Sequence, residues 1–424
     1  MKMNRIRNTA LLLASLVCLP LSSCGKGSAE KTAAAVDLTG ELQPQTVNGT
    51  DADEAFCAGQ TAFALKLMQQ TVAQEGDGNV LISPYSVMQA LAMTANGANG
   101  ETLSQMEQVL GGQPIGELNR YLYTQRMAQP EETYCKLVNA NSIWIKDKDD
   151  AIAVEPVFLQ TNTDYYGAGT FKEPFDETTV KRINQWCSDH TDKMIPALLD
   201  RIDESTVMYL INAVLFNAKW EDCYKADPQD HDFTAQNGDV QTAQMMYSDE
   251  SRYLEDDHAT GFVKMYAGGK YAFAALMPEQ GMSLRDYIAG LTPESLRNTL
   301  QNWQSHMVKA GLPKFSYDFS TVMNHSLSEM GMPLAFSDSA DFSRMGKTQT
   351  NALFIGSVLH KTRIEVDVNG TRAAAVTAVA MDSCAAMMEE EPKVVVLDRP
   401  FLYMILDTET NLPVFIGTLT EIPS

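Results

Sequence analysis

Two stretches of the chain are almost unbroken in their apolar character: VMYLINAVLF over Val207–Phe216 and YAFAALM over Tyr271–Met277. Runs of this length and composition predict strands covered on both faces. KLVNANSIWI over Lys136–Ile145 predicts a further strand. Near the C-terminus, Phe401–Leu406 and Val414–Leu419 predict an antiparallel pair, joined by the longer loop Asp407–Pro413. Helical spacing appears elsewhere. From about Asp53 to Gln74, Phe56, Phe63, Leu67 and Val72 fall near one stripe, with Asp51 or Asp53 as cap. Gly97 and Gly100 bracket a turn before a second helix, Glu101–Leu110, which stops at Gly111-Gly112. No internal repeat is present. Helices and strands intersperse without a βαβ rhythm, so the fold class is α+β in one domain.

Charge and motifs exclude several functions. The 424 residues carry 32 Lys plus Arg against 54 Asp plus Glu, a net charge of -22. Such a chain repels phosphate backbones, and nucleic acid is not an expected partner. The chain has no H-E-x-x-H, G-x-S-x-G, Walker A or EF-hand pattern. Its six His are scattered without metal spacing, so no metal and no cofactor are expected. The Cys at 18, 24, 57, 135, 187, 223 and 384 form no C-x-x-C pair. Most of those in the body read as small buried hydrophobes.

The N-terminus has Lys2, Arg5 and Arg7 followed by an apolar run from Ala10 to Leu21. The run is too short to span a bilayer, and the pattern is that of an export signal. It ends in Leu21-Ser22-Ser23-Cys24, which resembles a bacterial lipobox. The resemblance implies cleavage after residue 23 and diacylation of the Cys24 thiol. Gly25 lacks the acidic character that marks inner-membrane retention, so an outer-membrane lipoprotein, periplasmic or surface-exposed, is expected. Residues 24–50 are rich in Ala, Thr, Gly and Gln and read as a flexible tether. The globular domain is expected over 51–424.

Several blocks, in order, resemble the serpin family. They are NVLISPYSVMQALAMTANGANGETLSQM (79–106), VMYLINAVLFNAKW (207–220), LPKFSYDFS with LSEMGMPLAFSDSADFSRM (312–345), SVLHKTRIEVDVNGTRAAAVTAVAM (357–381), RPFLYMI (399–405) and PVFIGTL (413–419). The resemblance implies three β-sheets, about nine helices and an exposed reactive loop at about 368–396. It also implies no catalytic residue of the protein's own. The family includes protease inhibitors and members that inhibit nothing. The inhibitors enter their loop into the main sheet as a new strand, and this requirement can be read on the residues. With Thr371 facing inward, the inward set is Thr371, Ala373, Ala375, Thr377 and Val379, following Gly370 as a pivot. None is charged, large or Pro, so nothing blocks insertion. One departure stands beside this. Inhibitory serpins usually have acidic residues before the hinge Gly, whereas Val368 and Asn369 occupy those places here. A salt bridge at the top of the sheet is therefore expected to be missing.

The resemblance also implies the remaining site residues. Counting from the hinge puts the reactive bond at Cys384–Ala385, whereas counting back from Pro400-Phe401 gives Glu389–Glu390. The hinge count is preferred because insertion length is set from that end. The candidates Met381, Cys384, Ala386, Met387 and Met388 are small or apolar, and no Lys or Arg lies between Arg372 and Lys393. Elastase-, subtilisin-, chymotrypsin- or papain-like proteases are the expected targets rather than trypsin-like ones. Ser83, Ser86, Asn212 and His360 are expected to surround the point where strands part, with Trp220 packing over the gate. The expected function is suicide inhibition of serine, and also cysteine, proteases by a single chain held at the membrane. The alternative is a binding protein or chaperone on the same scaffold.

Overall fold

The structure, a computed structural model of the chain, describes residues 36–147, 152–202, 206–348, 353–371 and 391–423. The first long helix, Glu54–Glu75, starts at Asp53, whose carboxylate accepts from the Phe56 N–H at 2.8 Å. The Tyr121 hydroxyl donates to the same carboxylate at 2.6 Å. The two contacts hold the Asp53 carboxyl below the usual range. The helix Pro84–Ala95 starts at Ser83, with Pro in the first turn, where a missing N–H costs nothing. The predicted second helix spans Gly100–Val109.

Nine α-helices among the described residues pack on three sheets. One eight-stranded sheet runs in the order Val36–Asp37, Gly169–Glu173, Cys135–Lys146, Met208–Lys219, Gly370–Thr371, Ser357–Val366, Phe315–Val322, with Glu131–Glu132 beside Cys135–Lys146. A nine-stranded sheet runs Lys393–Val396, Gln304–Pro313, Val240–Glu255, Ala259–Met265, Tyr271–Pro278, Phe401–Asp407, Pro413–Leu419, Leu81–Ile82, with Gln229–Thr234 beside Val240–Glu255. Ile152–Val154 and Gly346–Thr348 form a small pair.

The near-continuous run at 207–216 has a direct explanation. Met208, Leu210, Val214, Phe216 and Ala218 face the main core. Tyr209, Ile211 and Ala213 face the other way, into a second cluster with Trp144, Ile183 and Cys187. The last two belong to the helix Glu177–His190, which covers this part of the outer face. Every residue of Tyr271–Pro278 is buried.

Residues 36–50, assigned by composition to a tether over 24–50, lie along the domain. Val36 and Asp37 pair antiparallel with Lys172 and Phe171 at the sheet edge. The Leu38 N–H donates to the Thr170 carbonyl at 2.8 Å, Gln45 N–H to Asp164 Oδ1 at 2.7 Å, and Thr50 N–H to the Arg120 carbonyl at 3.2 Å. Backbone N–H groups of the segment do much of the holding, and the Thr39 hydroxyl accepts from the Thr170 N–H at 3.2 Å. An apolar pattern was therefore the wrong signal for this segment. The export signal and Cys24 lie outside the described residues.

Candidate functional site

Two parallel strands at the centre of the eight-stranded sheet form a fork. Ser357–Lys361 pair directly with Tyr209–Ala213, residue for residue. Five residues higher on each strand, Val366 and Ala218 no longer meet, because Thr371 lies between them and pairs with both. The strand Ser357–Val366 turns at Asp367–Gly370 to deliver Gly370–Thr371 into this opening. Asp367 makes the turn. Its N–H donates to the Gly370 carbonyl at 3.0 Å, and its Oδ1 accepts from the N–H groups of Asn369 and Gly370 at 2.8 and 3.3 Å. Gly370 is required by space. A Cβ there would lie 2.1 Å from the Ala218 carbonyl oxygen and 2.7 Å from the Lys219 Cα.

The segment Trp220–Tyr224 pins the turn from above. Trp220 N–H donates to the Asn369 carbonyl at 2.9 Å and Tyr224 N–H to the Val368 carbonyl at 3.2 Å. The Trp220 indole Nε1–H donates to the Asp367 carbonyl at 2.9 Å. Trp220 is buried and stacks on Tyr266 at 4.5 Å between centroids, so it ties the turn at Asp367–Asn369 to the core. The ion pair missing from Val368 and Asn369 has a neighbour of different origin. Lys264 donates to Glu250 at 2.7 Å with both side chains largely buried, and its ammonium lies 5.5 Å from the Trp220 ring and 4.6 Å from the Tyr224 ring.

Beneath the fork lies a polar cluster. His360 faces Asn212 across the directly paired strands. His360 Nε2 accepts from the Ser83 N–H at 3.0 Å. The Ser83 hydroxyl donates to the Val414 carbonyl at 2.8 Å and accepts weakly from the Ser86 N–H at 3.4 Å. Ser86 Oγ reaches Asn139 Oδ1 at 3.1 Å. Because Nε2 accepts, the imidazole proton belongs on Nδ1, which is buried and has no hydrogen-bond partner among the described residues. Burial holds the ring neutral and pushes its pKa down to about 3.

Thus Ser83, Ser86 and His360 gather with the backbone of Asn212, while Gly370 and Thr371 stand in the opening above. Ala373, Ala375, Thr377, Cys384 and Ala385 lie outside the described residues. Sequence reasoning missed Tyr266, whose hydroxyl lies 2.5 Å from Thr371 Oγ1. It also missed Thr362, whose hydroxyl donates to the Leu81 carbonyl at 2.8 Å, and the Lys264–Glu250 pair. Only the turn had a local signal, in Asp367-Val368-Asn369-Gly370. Among the described residues no group of three His, Cys, Asp or Glu is placed to hold a metal ion. None of their helices is long and apolar enough to cross a membrane. Cys57, Cys135 and Cys187 are free and buried. Burial raises the Cys135 and Cys187 thiols to about 11 and about 12.

The family model described as Serpin (serine protease inhibitor) matches residues 58–422. The mouse protein leukocyte elastase inhibitor A is 29% identical over 384 residues, covering 86% of this chain and 98% of its own. The crystal structure of the thermophilic serpin tengpin in its native state is 43% identical, with a TM-score of 0.86 over 92% of this chain and 100% of tengpin. Tengpin in its latent state gives 40% identity and a lower TM-score of 0.78, over 88% of this chain and 100% of tengpin. On a match that runs through the fork, the turn and both C-terminal strands, the chain belongs to the serpin family.

Proposed function

We propose that this protein is an irreversible suicide inhibitor of serine, and also cysteine, proteases, acting by insertion of its reactive loop into the fork. The observation that carries the reading is the unbroken register across the opening, with Gly370–Thr371 already between the two strands. A target protease attacks the Cys384 carbonyl. Its nucleophile forms an ester or thioester, the Cys384–Ala385 bond breaks, and the proton passes to the Ala385 amine. The freed loop then continues the strand begun at Thr371, and the tethered protease travels with it. About 14 residues at roughly 3.3 Å each give about 45 Å of travel.

The register supports this step at individual residues. Six residues beyond Thr371, Thr377 falls between Asn212 and His360. There its hydroxyl meets the His360 Nδ1–H, which has no hydrogen-bond partner among the described residues. A buried donor without a partner costs about 1–3 kcal/mol, which insertion recovers. The outward residues match too. Val376 and Ala378 fall level with Ala213 and Ile211, where the helix Glu177–His190 covers the sheet. Arg372 falls above that cover.

Small and apolar residues around Cys384 favour elastase-, subtilisin-, chymotrypsin- or papain-like targets. Through a diacylated Cys24, the protein is a single-chain lipoprotein of a bacterial outer membrane, periplasmic or surface-exposed. The test mixes the chain from residue 25 with one protease of each type, and with a trypsin-like one. Samples go on a denaturing gel, with mass spectrometry of the released fragment. A denaturant-stable complex and a fragment beginning at Ala385 are expected. Cleavage with no complex by any protease would overturn the inhibitor reading and favour a substrate-like or binding role instead.

A further inference from the structure

A polar groove of about 370 Å³ lies on the outer face of the eight-stranded sheet, bounded by the loop Lys193–Pro196 on one side and by Asp318, Lys361, Arg363 and Glu365 on the other. Strand alternation puts the last three there. His360, Thr362, Ile364 and Val366 are buried in the core, so Lys361, Arg363 and Glu365 point outward. The opposite wall follows the helix Glu177–His190. The Lys193 N–H donates to the Ser188 carbonyl at 2.8 Å, and Asn184 Oδ1 accepts from the N–H groups of Leu198 and Leu199 at 2.7 and 2.8 Å. Ile195 and Leu199 are buried in the second cluster with Tyr209, Ile211 and Ala213. This wall is therefore fastened to the strand Met208–Lys219, whereas the other wall is built on the strand Ser357–Val366. The groove straddles the seam between the two strands.

The charges in the groove do not cancel pair by pair. Arg363 Nη1 is committed to Asp318, at 3.1 Å from each carboxylate oxygen. Asp192, next to Lys193, is turned to Lys136 at 2.9 Å. Lys361 Nζ donates to the neutral Ala197 carbonyl at 2.6 Å, across the seam, and has no carboxylate partner among the described residues. The Lys193 side chain is exposed and has no polar partner among them. Two ammonium groups, one on each wall, thus face the groove without a carboxylate partner, in a chain of net charge -22. A phosphate monoester carries about -1.5 to -2 charges at pH 7, which matches two lysines. Glu365 is half-buried and also lacks a partner among the described residues. It lies about 13 Å along the strand from Lys361. Its carboxylate repels a second anion but accepts from hydroxyl donors. The groove volume is at the small end for ligand sites, which run from about 300 to 1,000 Å³. One phosphate on a hydroxylated carrier of sugar size fits these terms, and a polyanion does not.

We propose that this groove binds a phosphate monoester of a sugar-sized, hydroxylated molecule, and that the bound phosphate ties the two sides of the seam and slows opening of the fork. Lys193 holds the phosphate from the side of the strand Met208–Lys219, and Lys361 holds it from the strand Ser357–Val366. Parting these strands by about one 4.8 Å spacing pulls the two ammonium groups off their shared anion. The effect on insertion rests on the inhibitory reading above. The binding does not, and the experiment reads the two separately. Glucose 6-phosphate is titrated into the full chain at constant ionic strength and followed by phosphorus NMR line broadening. Saturable broadening is expected. Lys193→Gln removes a side chain with no polar partner among the described residues. It should weaken binding about tenfold, whereas Lys193→Arg should keep it. Glu365→Gln should weaken binding of the sugar ester and tighten that of inorganic phosphate. No saturation, or equal binding by the Lys193→Gln variant, would overturn the site. Inorganic phosphate binding as tightly as the ester would overturn the carrier and leave the free ion as the ligand. The second arm adds glucose 6-phosphate to a mixture of the chain with an elastase-like protease. The share of chain cleaved rather than trapped should rise as the site fills, and should stay flat in Lys193→Gln. An unchanged share beside saturable binding would overturn the tie. With no trapped protease at all the inhibitory reading falls, while the titration still decides the site.

Discussion

The hydroxyl oxygens of Thr371 and Tyr266 lie 2.5 Å apart, both residues buried on the core side of the sheet. This contact fixes the parity of every residue that follows on a continued strand. Odd-numbered positions from Thr371 face the core, and even-numbered ones face the outer surface.

Parity can be tested by placing one charge on either face. Ala375→Asp buries a carboxylate against the core, at a cost of several kcal/mol. Ala374→Asp places the same charge outward, level with the partly exposed Arg363. The first variant should be cleaved as a substrate, with little covalent complex. The second should keep its stoichiometry of inhibition. Equal behaviour of the two on a titration gel would refute the assigned faces.

His360 should make the fold acid-sensitive in a defined window. Its folded pKa is about 3 against 6.5 unfolded. Between these values the unfolded chain binds a proton that the native one refuses. Stability is therefore fully present above pH 6.5 and falls as the solution is acidified towards pH 3. One such group contributes up to about 1.4 kcal/mol per pH unit. His360→Gln should flatten the unfolding midpoint between pH 6.5 and 4 relative to the parent. Parallel curves would count against a neutral buried imidazole.

The residue before the reactive bond should set the choice of protease. Cys384→Arg supplies the basic side chain that a trypsin-like pocket requires. It should gain a stable complex with a trypsin-like enzyme and lose the one with an elastase-like enzyme. If the Arg variant yields a fragment beginning at Glu390, the count from the C-terminal side is the right one.

The Lys264–Glu250 pair should behave as a unit. Lys264→Met leaves a largely buried carboxylate and should cost about 3–5 kcal/mol in urea unfolding. Adding Glu250→Gln should recover much of that loss. Additive losses in the double variant would show that the two charges act independently.

Strand positions were legible in the sequence because they rest on local pattern. Apolar continuity marked Val207–Phe216 and Tyr271–Met277, and the observed strands Met208–Lys219 and Tyr271–Pro278 follow it closely. The blocks resembling serpins also brought Ser83, Ser86, Asn212 and His360 to one place. Three features were not legible. The docking of residues 36–50 uses backbone hydrogen bonds, which no side-chain pattern records. Tyr266 reads as one more core aromatic until its hydroxyl is seen beside Thr371. Lys264 and Glu250 lie on adjacent strands of the nine-stranded sheet, and charge spacing in the sequence carries no trace of their burial beneath Trp220 and Tyr224.

The equal offset of the two central strands above and below the fork has a mechanical consequence. Admitting a strand requires no slippage of one neighbour along the other. They need only separate sideways by about one 4.8 Å spacing, so the motion has a single degree of freedom. Each direct rung from Ser357–Tyr209 to Lys361–Ala213 is exchanged for two, one on each side of the newcomer. The sheet is in this sense a ladder with one rail too few, and in the proposed mechanism the cut loop supplies the missing rail.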